Sequence, residues 1–427
     1  LERGYPRQYL DGLALDFLGD NMNMFFYLGE TARHYGYDRI PFFISEGFYT
    51  GSGRGFNPDR DSELQQSDAY IRGFLRGLAL GVERFLASSE VWDNGGDYYL
   101  SGYGPVGLCH RAPETNPKPG YPAYATMTLL LDRARFHSAL PTGSLNVYLL
   151  RFDGRDGPVH VAWTARGRRT LGFAAEGDSP CLTDSQCNDF PLPVSGGRAS
   201  FEVDETPAWI RHAGRVSDVR AGEAAYDDAP ATNARPLAAP APGGGWLLDT
   251  NACEAMEARD MSQPVGVGRF TLGPAEGRTP GSVALAVTLG EQPGVSPHRL
   301  RYAALRPATA APIPPDARAM GVWVYGNGAA TVDVELRDSE GETWHTIPGP
   351  TGYSFGIQYA GACAFDGWRY LRFPLPPAQR SGKGNSKPDK PFALTGLFIQ
   401  QYASMLYVNR LEAPPSPTWR IGEVMWE

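Results

Sequence analysis

The sequence has no run of the roughly 18–20 consecutive apolar residues that a membrane-spanning helix needs, so no membrane span is expected. It has no long basic run either. Lys and Arg (39) are outnumbered by Asp and Glu (47), net charge is −8, and nucleic acid is not expected as a partner. Cysteine is scarce, 5 in 427 residues, with no CxxC pair and no His/Cys cluster at zinc spacing. Cys181 and Cys187, in "SPCLTDSQCND", are close enough along the chain for a small disulfide loop, and two unrelated free thiols fit equally well. "GSGRG" (51–55) lacks the Walker lysine and the GxGxxG spacing, which leaves a phosphate-binding intracellular enzyme without support. A positively charged start followed by an apolar run is missing, so no signal peptide is read in a chain that begins at Leu1. No repeat of solenoid period occurs.

Aromatics, glycine and proline are abundant: 9 Trp, 21 Tyr, 20 Phe, 51 Gly and 37 Pro. That balance suits loop-rich β structure, and surfaces able to stack on flat apolar faces such as sugar rings. Residues 1–141 alternate short apolar strands with helical patterns. "LDGLALDFLG" (10–19) reads as a strand, "MNMFFYLGETARHYG" (22–36) as a helix and "RIPFFISE" (39–46) as a buried strand. Residues 63–85 carry Ala69, Ile71, Leu75, Leu78 and Val82 at helical spacing. "RFLASSEVW" (84–92) reads as a third strand, and residues 121–140 as a helix with Pro122 in its first turn. Repeated strand–helix units imply a parallel sheet with helical crossovers.

From 142 to 221 the rhythm changes to period two, as in a β-sandwich. Residues 222–245, rich in Ala, Pro and Gly, read as a linker. Residues 246–427 carry a second all-β pattern, with a hairpin expected at Gly326-Asn327-Gly328 and a turn at Asp338-Ser339-Glu340-Gly341.

The chemistry is most pointed at "IPFFISEGFYTGSGRG" (40–55), where an apolar strand runs straight into Glu46. An unpaired buried carboxylate is costly, so Glu46 is either a strand end that reaches water or a group placed for chemistry. A strand ending in "ISEG", then a helix and a strand near Trp92, resembles the last third of the clan A glycoside hydrolases. "KPGYPAYATMTLLL" (118–131) is similar to their last barrel helix, and residues 161–210 to the β-sandwich that often follows. The resemblance implies a multidomain α/β plus all-β protein: the last three strand–helix units of a (β/α)8 barrel (1–141), then the β-sandwich. It implies Glu46 as nucleophile of a retaining hydrolysis, which needs a second carboxyl about 5–5.5 Å away. Trp92 would form the apolar floor under the sugar, with Glu90, Asp16 and Tyr49 as further substrate contacts and Arg54 in the same loop. Asp16 stands where many clan members carry a histidine. The acid/base glutamate has no counterpart here. A closed barrel takes eight strands, so the missing N-terminal half is expected in the same chain upstream or in a partner chain, and this chain alone is expected to be inactive.

Residues 246–427 resemble galactose-binding-like, carbohydrate-binding jelly rolls, with Trp323, Tyr325, Trp344 and Trp368 as stacking candidates. Asp338, Glu340 and Asp366 are candidates for a structural calcium, against a plainer reading as solvated turn acids. No other cofactor or metal is expected. The family resemblance implies an extracellular or periplasmic glycosidase with a carbohydrate substrate. The competing reading is a non-catalytic carbohydrate-binding or cell-surface protein with a degenerate barrel.

Overall fold

The computed structural model describes residues 10–18, 32, 35–37, 40–48, 62–87, 91–93, 107–113, 115–144, 146–165, 167–177, 179–225, 229–239, 245–261, 270–290, 301–327, 330–346, 365–377, 379–381, 384–385, 387–401 and 418–427. These are mostly β-sheet, with three helices of more than one turn among the described residues. The chain divides into two compact units, with the boundary between Ala225 and Tyr226.

The first unit opens with β1 (Leu13–Leu18), β2 (Phe42–Phe48), α1 (Ser62–Ala79), β3 (Val82–Ala87) and α2 (Gly120–Leu130). The three strands form one parallel sheet in the order β1-β2-β3. Parallel neighbours need crossover connections, and α1 supplies the one between β2 and β3. Ala69, Ile71 and Leu75 bury its apolar side. Its polar side is buried as well: Arg72 donates to the Glu205 carbonyl (2.9 Å), and Thr206 donates to Asp68 (3.1 Å). The helix stops at Ala79, so Val82 belongs to β3 and Leu78, expected inside, is 41% exposed. Gly81 makes the turn at φ 82°, a conformation that costs a glycine little. Most of 22–36 lies outside the described residues.

The sandwich follows: β4 (Arg135–Ala139), β5 (Val147–Gly154), β6 (Gly157–Thr164), β7 (Arg169–Ala175), β8 (Cys181–Thr183), β9 (Asp189–Pro191), β10 (Val194–Ser195), β11 (Arg198–Val203), β12 (Ala208–Arg211) and β13 (Val216–Ala221). One sheet runs β4-β5-β6-β12-β8-β9, the other β10-β11-β7-β13. Val147, Leu149, Ala162, Leu171, Phe173 and Ile210 meet in the core between them. The helix read over 121–140 ends at Leu130; Arg133 turns the chain with φ 56°, and Arg135–Ala139 pairs with β5. The sandwich therefore begins ahead of Pro141. Cys181 and Cys187 are free thiols.

The second unit contains β14 (Arg235–Ala238), β15 (Trp246–Leu248), α3 (Thr250–Met261), β16 (Phe270–Glu276), β17 (Val283–Leu289), β18 (Arg301–Pro307), β19 (Ala311–Pro312), β20 (Ala319–Asn327), β21 (Ala330–Arg337), β22 (Thr343–His345), β23 (Asp366–Pro374), β24 (Gln379–Ser381), β25 (Ala393–Gln401) and β26 (Thr418–Trp426). One sheet runs β16-β17-β26-β20-β23, with β14 also on β26; the other runs β15-β18-β25-β21-β22-β24, with β19 on β25. Leu285, Val287, Val322, Val324, Val332, Val334, Leu397 and Trp419 fill the core between them. Two expectations are corrected. Arg235–Ala238, read as linker, is a strand paired to β26. The strands flanking Gly326-Asn327-Gly328 do not form a hairpin: β20 and β21 lie in different sheets, because a chain crossing between sheets uses the same turn residues as one that doubles back.

Candidate functional site

The carboxyl ends of β1, β2 and β3 define the first candidate site. On the central strand Glu46 lies two positions before the terminal Phe48, and it is in register with Asp16 of β1. The ladder is irregular on both sides at this level, between Leu15 and Asp16 and again between Ile44 and Gly47. The backbone thus places two acidic residues side by side on adjacent strands, about 4.8 Å apart in such sheets, where the parallel ladder loosens. Tyr49, Arg54 and Glu90 lie outside the described residues.

Trp92 is not at the end of β3, as the spacing had suggested, because β3 closes at Ala87. It sits in a separate bridge with Cys109 and is 52% exposed. Asp93, the next residue, is an anchor that sequence reasoning missed. Its carboxylate is buried, accepts from the Lys118 ammonium at 2.5 Å and from the Gly107 N–H at 2.9 Å, and its other oxygen has no hydrogen-bond partner among the described residues. Backbone bonds Asp93 N–H to Cys109 O (2.9 Å), Cys109 N–H to Val91 O (2.8 Å) and Lys118 N–H to Leu108 O (2.9 Å) complete a small knot. A side chain at Gly107 would lie 2.4 Å from the Asp93 nitrogen, so only glycine fits. The Lys-Pro start of α2 therefore ties down the segment that presents Trp92. The one local signal for it was an Asp directly after an aromatic, too common to read.

In the sandwich, the Asp184 carboxylate accepts from the Gln186 and Asn188 N–H groups and from the Asn188 amide, so this Asp-x-x-x-Asn turn is a self-capped loop. His160 on β6 is buried with neither ring nitrogen hydrogen-bonded among the described residues. Burial first, then the Arg151 charge, hold it down to about 4.

Of the stacking candidates in the second unit, Trp344 is buried and donates its indole N–H to Asp338 at 2.8 Å, which makes it core. Asp338 also accepts from the N–H groups of Glu340 and Glu342, so its carboxylate caps its own turn. No cluster of three or more His, Cys, Asp or Glu poised for a metal occurs among the described residues. Trp323, Tyr325 and Trp368 are half-buried, on the side of β20 and β23 opposite the core residues Val322, Val324 and Leu371. The Arg278 guanidinium lies 4.3 Å over the Trp323 ring and Arg420 lies 4.6 Å over Tyr325. On the other sheet, buried His345 meets Asp333 (2.6 Å) and approaches Glu335 (3.9 Å), which also pairs with Arg306. Burial opposes a positive ring there, but Asp333 and Glu335 outweigh it and raise the His345 pKa.

No family model matches the sequence, and no curated protein matches it. Solved structures that match in part include glycoside hydrolases and carbohydrate-binding modules. A family 39 glycoside hydrolase from the gut symbiont Bacteroides cellulosilyticus WH2 is 20% identical with a TM-score of 0.35, over 43% of this chain and 36% of that one. A family 86 β-porphyranase from Bacteroides plebeius is 9% identical with a TM-score of 0.32, over 97% of this chain and 64% of that one. The family 11 carbohydrate-binding module of a cellulosomal cellulase from Clostridium thermocellum is 7% identical with a TM-score of 0.22, over 37% of this chain and 81% of that one. At these scores the likeness assigns neither family nor activity. The chain spans 36% of the family 39 enzyme's length. No described helix is long and apolar enough to cross a membrane.

Proposed function

We propose that this chain is the C-terminal part of a retaining glycoside hydrolase acting on a poly- or oligosaccharide, with Glu46 as nucleophile. The observation that carries the reading is backbone placement. Glu46 lies near the carboxyl end of the central strand of a parallel, helix-crossed sheet, the end at which barrel enzymes keep their chemistry. In this reading Glu46 attacks the anomeric carbon, the glycosidic C–O bond breaks, and water later releases the covalent glycosyl-enzyme. Asp16, in register beside it, contacts the same sugar, and Trp92 offers an exposed ring near the substrate. Three parallel strands are described where a barrel has eight. The proton donor and remaining strands then come from elsewhere in the same protein or from a partner chain. In this reading the protein acts in the extracellular space or the periplasm.

The test is hydrolysis of plant and algal polysaccharides by the full-length protein, with the anomer of the released sugar followed by NMR. Retention of configuration, and loss of turnover with intact sugar binding in Glu46→Gln, is expected. Inversion, or full activity in Glu46→Gln, removes the assignment. The competing reading, a carbohydrate-binding protein that catalyses nothing, draws on the aromatic face of the second unit and predicts binding without hydrolysis.

A further inference from the structure

On the outer face of the β16-β17-β26-β20-β23 sheet, aromatic rings and arginines are layered together. Trp323 and Tyr325 alternate along β20, and Tyr325 opposes Trp368 of β23 with the rings 5.7 Å apart, edge to face. Trp368 reaches across β20 toward β26: a side chain at Gly422 would lie 3.2 Å from its indole Cζ3 and 3.1 Å from the Trp323 Cβ. Glycine at 422 therefore lets the Trp368 indole settle beside two rings that are each covered by a guanidinium, Arg278 at 4.3 Å and Arg420 at 4.6 Å.

These arginines differ from five others. Arg151, Arg198, Arg211, Arg306 and Arg372 each hold an aspartate or glutamate. Arg278 and Arg420 have no carboxylate partner among the described residues; Arg420 donates instead to the Glu276 carbonyl (3.3 Å). Glu427, the carboxylate at the end of β26, is taken by Arg372 and by the Tyr370 hydroxyl. Two guanidiniums without a carboxylate partner among the described residues thus lie on one aromatic face.

We propose that this face binds a polysaccharide carrying uronic-acid carboxylates. A guanidinium centred over a ring keeps N–H donors that the ring does not use and that can serve an anion. A pyranose stacked on Trp368, whose ring stands edge to face against Tyr325, lies beside these guanidiniums. The carboxylate of an equatorial C5 substituent projects from the edge of that sugar, where a guanidinium donates N–H bonds to it. A neutral hexose offers only hydroxyls there. The surface lies in a different unit from Glu46, and its readout is binding alone, so its failure leaves the nucleophile assignment standing.

The experiment is affinity electrophoresis of the full chain in gels containing polygalacturonate, alginate or glucuronoxylan, beside carboxyl-reduced polygalacturonate and dextran sulfate. Retardation by at least one uronate polymer and none by its carboxyl-reduced form is expected. Arg278→Gln and Arg420→Gln each bind about tenfold more weakly, the scale of a lost hydrogen bond to a charged group. Arg155→Gln, the same charge loss at an exposed turn of the first unit, binds like the parent. Trp368→Ala loses binding; Trp368→Leu, which keeps apolar volume, shows the same loss if stacking rather than folding is at stake. No retardation by any uronate polymer overturns the proposal. So does equal binding of the carboxyl-reduced polymer, or retention by dextran sulfate that Trp368→Ala leaves untouched, the mark of plain ion exchange.

Discussion

Two buried histidines, one in each unit, respond to pH in opposite senses. His160 is depressed to about 4 by burial and the Arg151 charge, below its unfolded value of about 6.5. The unfolded chain binds the proton first, so the stability His160 supports is present above about 6.5 and lost as pH falls toward 4. That window is worth roughly 3 kcal/mol. His345 is raised because Asp333 and Glu335 outweigh the cost of burial. Its contribution is complete below about 6.5 and is lost as pH rises through its folded pKa. Thermal melts from pH 4 to 8 are expected to show the first unit weakening toward acid, with His160→Phe flattening that slope. In the second unit Asp333→Asn lowers the His345 pKa, and the His345-linked loss as pH rises above about 6.5 shrinks. A His345 signal in NMR titration at or below the ordinary histidine pKa would contradict this assignment.

The Asp93–Lys118 pair makes a sharper test at the same scale. Removing one partner leaves a charge buried alone, so Lys118→Met is expected to destabilise the first unit by about 3–5 kcal/mol in denaturant melts. Lys118→Met with Asp93→Leu removes both charges, and a smaller loss than the single change is expected. Equal losses in the single and double variants would show that the knot is held by its backbone bonds and Gly107 alone.

At the scale of elements, the central β-sandwich strands were legible as short apolar runs between turns. In "LNVYLLRF" and "PVHVAWTAR" both faces are buried: Val147, Leu149 and Ala162 line the sandwich core, and Tyr148, Leu150, Val161 and Trp163 pair on the other side. The parallel strand at Phe42–Phe48 was legible as an apolar run ending in Glu46. The end of α2 was not, because "RFHSA" follows after one turn with no proline between them. Strand β26, central in its sheet, went unread, since its Gly422-Glu423 bulge breaks the alternation. The candidate Glu46 could be read locally, whereas Asp93–Lys118 and the arginine–aromatic face join residues far apart in sequence. Those contacts depend on close glycine approaches. A side chain at Gly321 would lie 2.1 Å from the Tyr370 ring, so Gly321→Ala is expected to cost about 1–3 kcal/mol and broaden the melt of the second unit. An unchanged melt would mean that Tyr370 and its Glu427 bond shift without penalty.

For the whole molecule, each unit has its own apolar core, one between the sandwich sheets of the first and one between the two sheets of the second. Residues 229–427 expressed alone are therefore expected to fold and melt cooperatively. Non-cooperative melting would show that this core is insufficient by itself. The central claim rests on Glu46. Its most direct test is labelling of the full-length protein with a panel of 2-deoxy-2-fluoro glycosides bearing dinitrophenolate, a leaving group that needs no protonation. Intact-mass and peptide mass spectrometry should find one fluoroglycosyl group per protein, on the peptide containing Glu46, and none in Glu46→Gln. A label on any other carboxylate, undiminished in Glu46→Gln, would contradict the account.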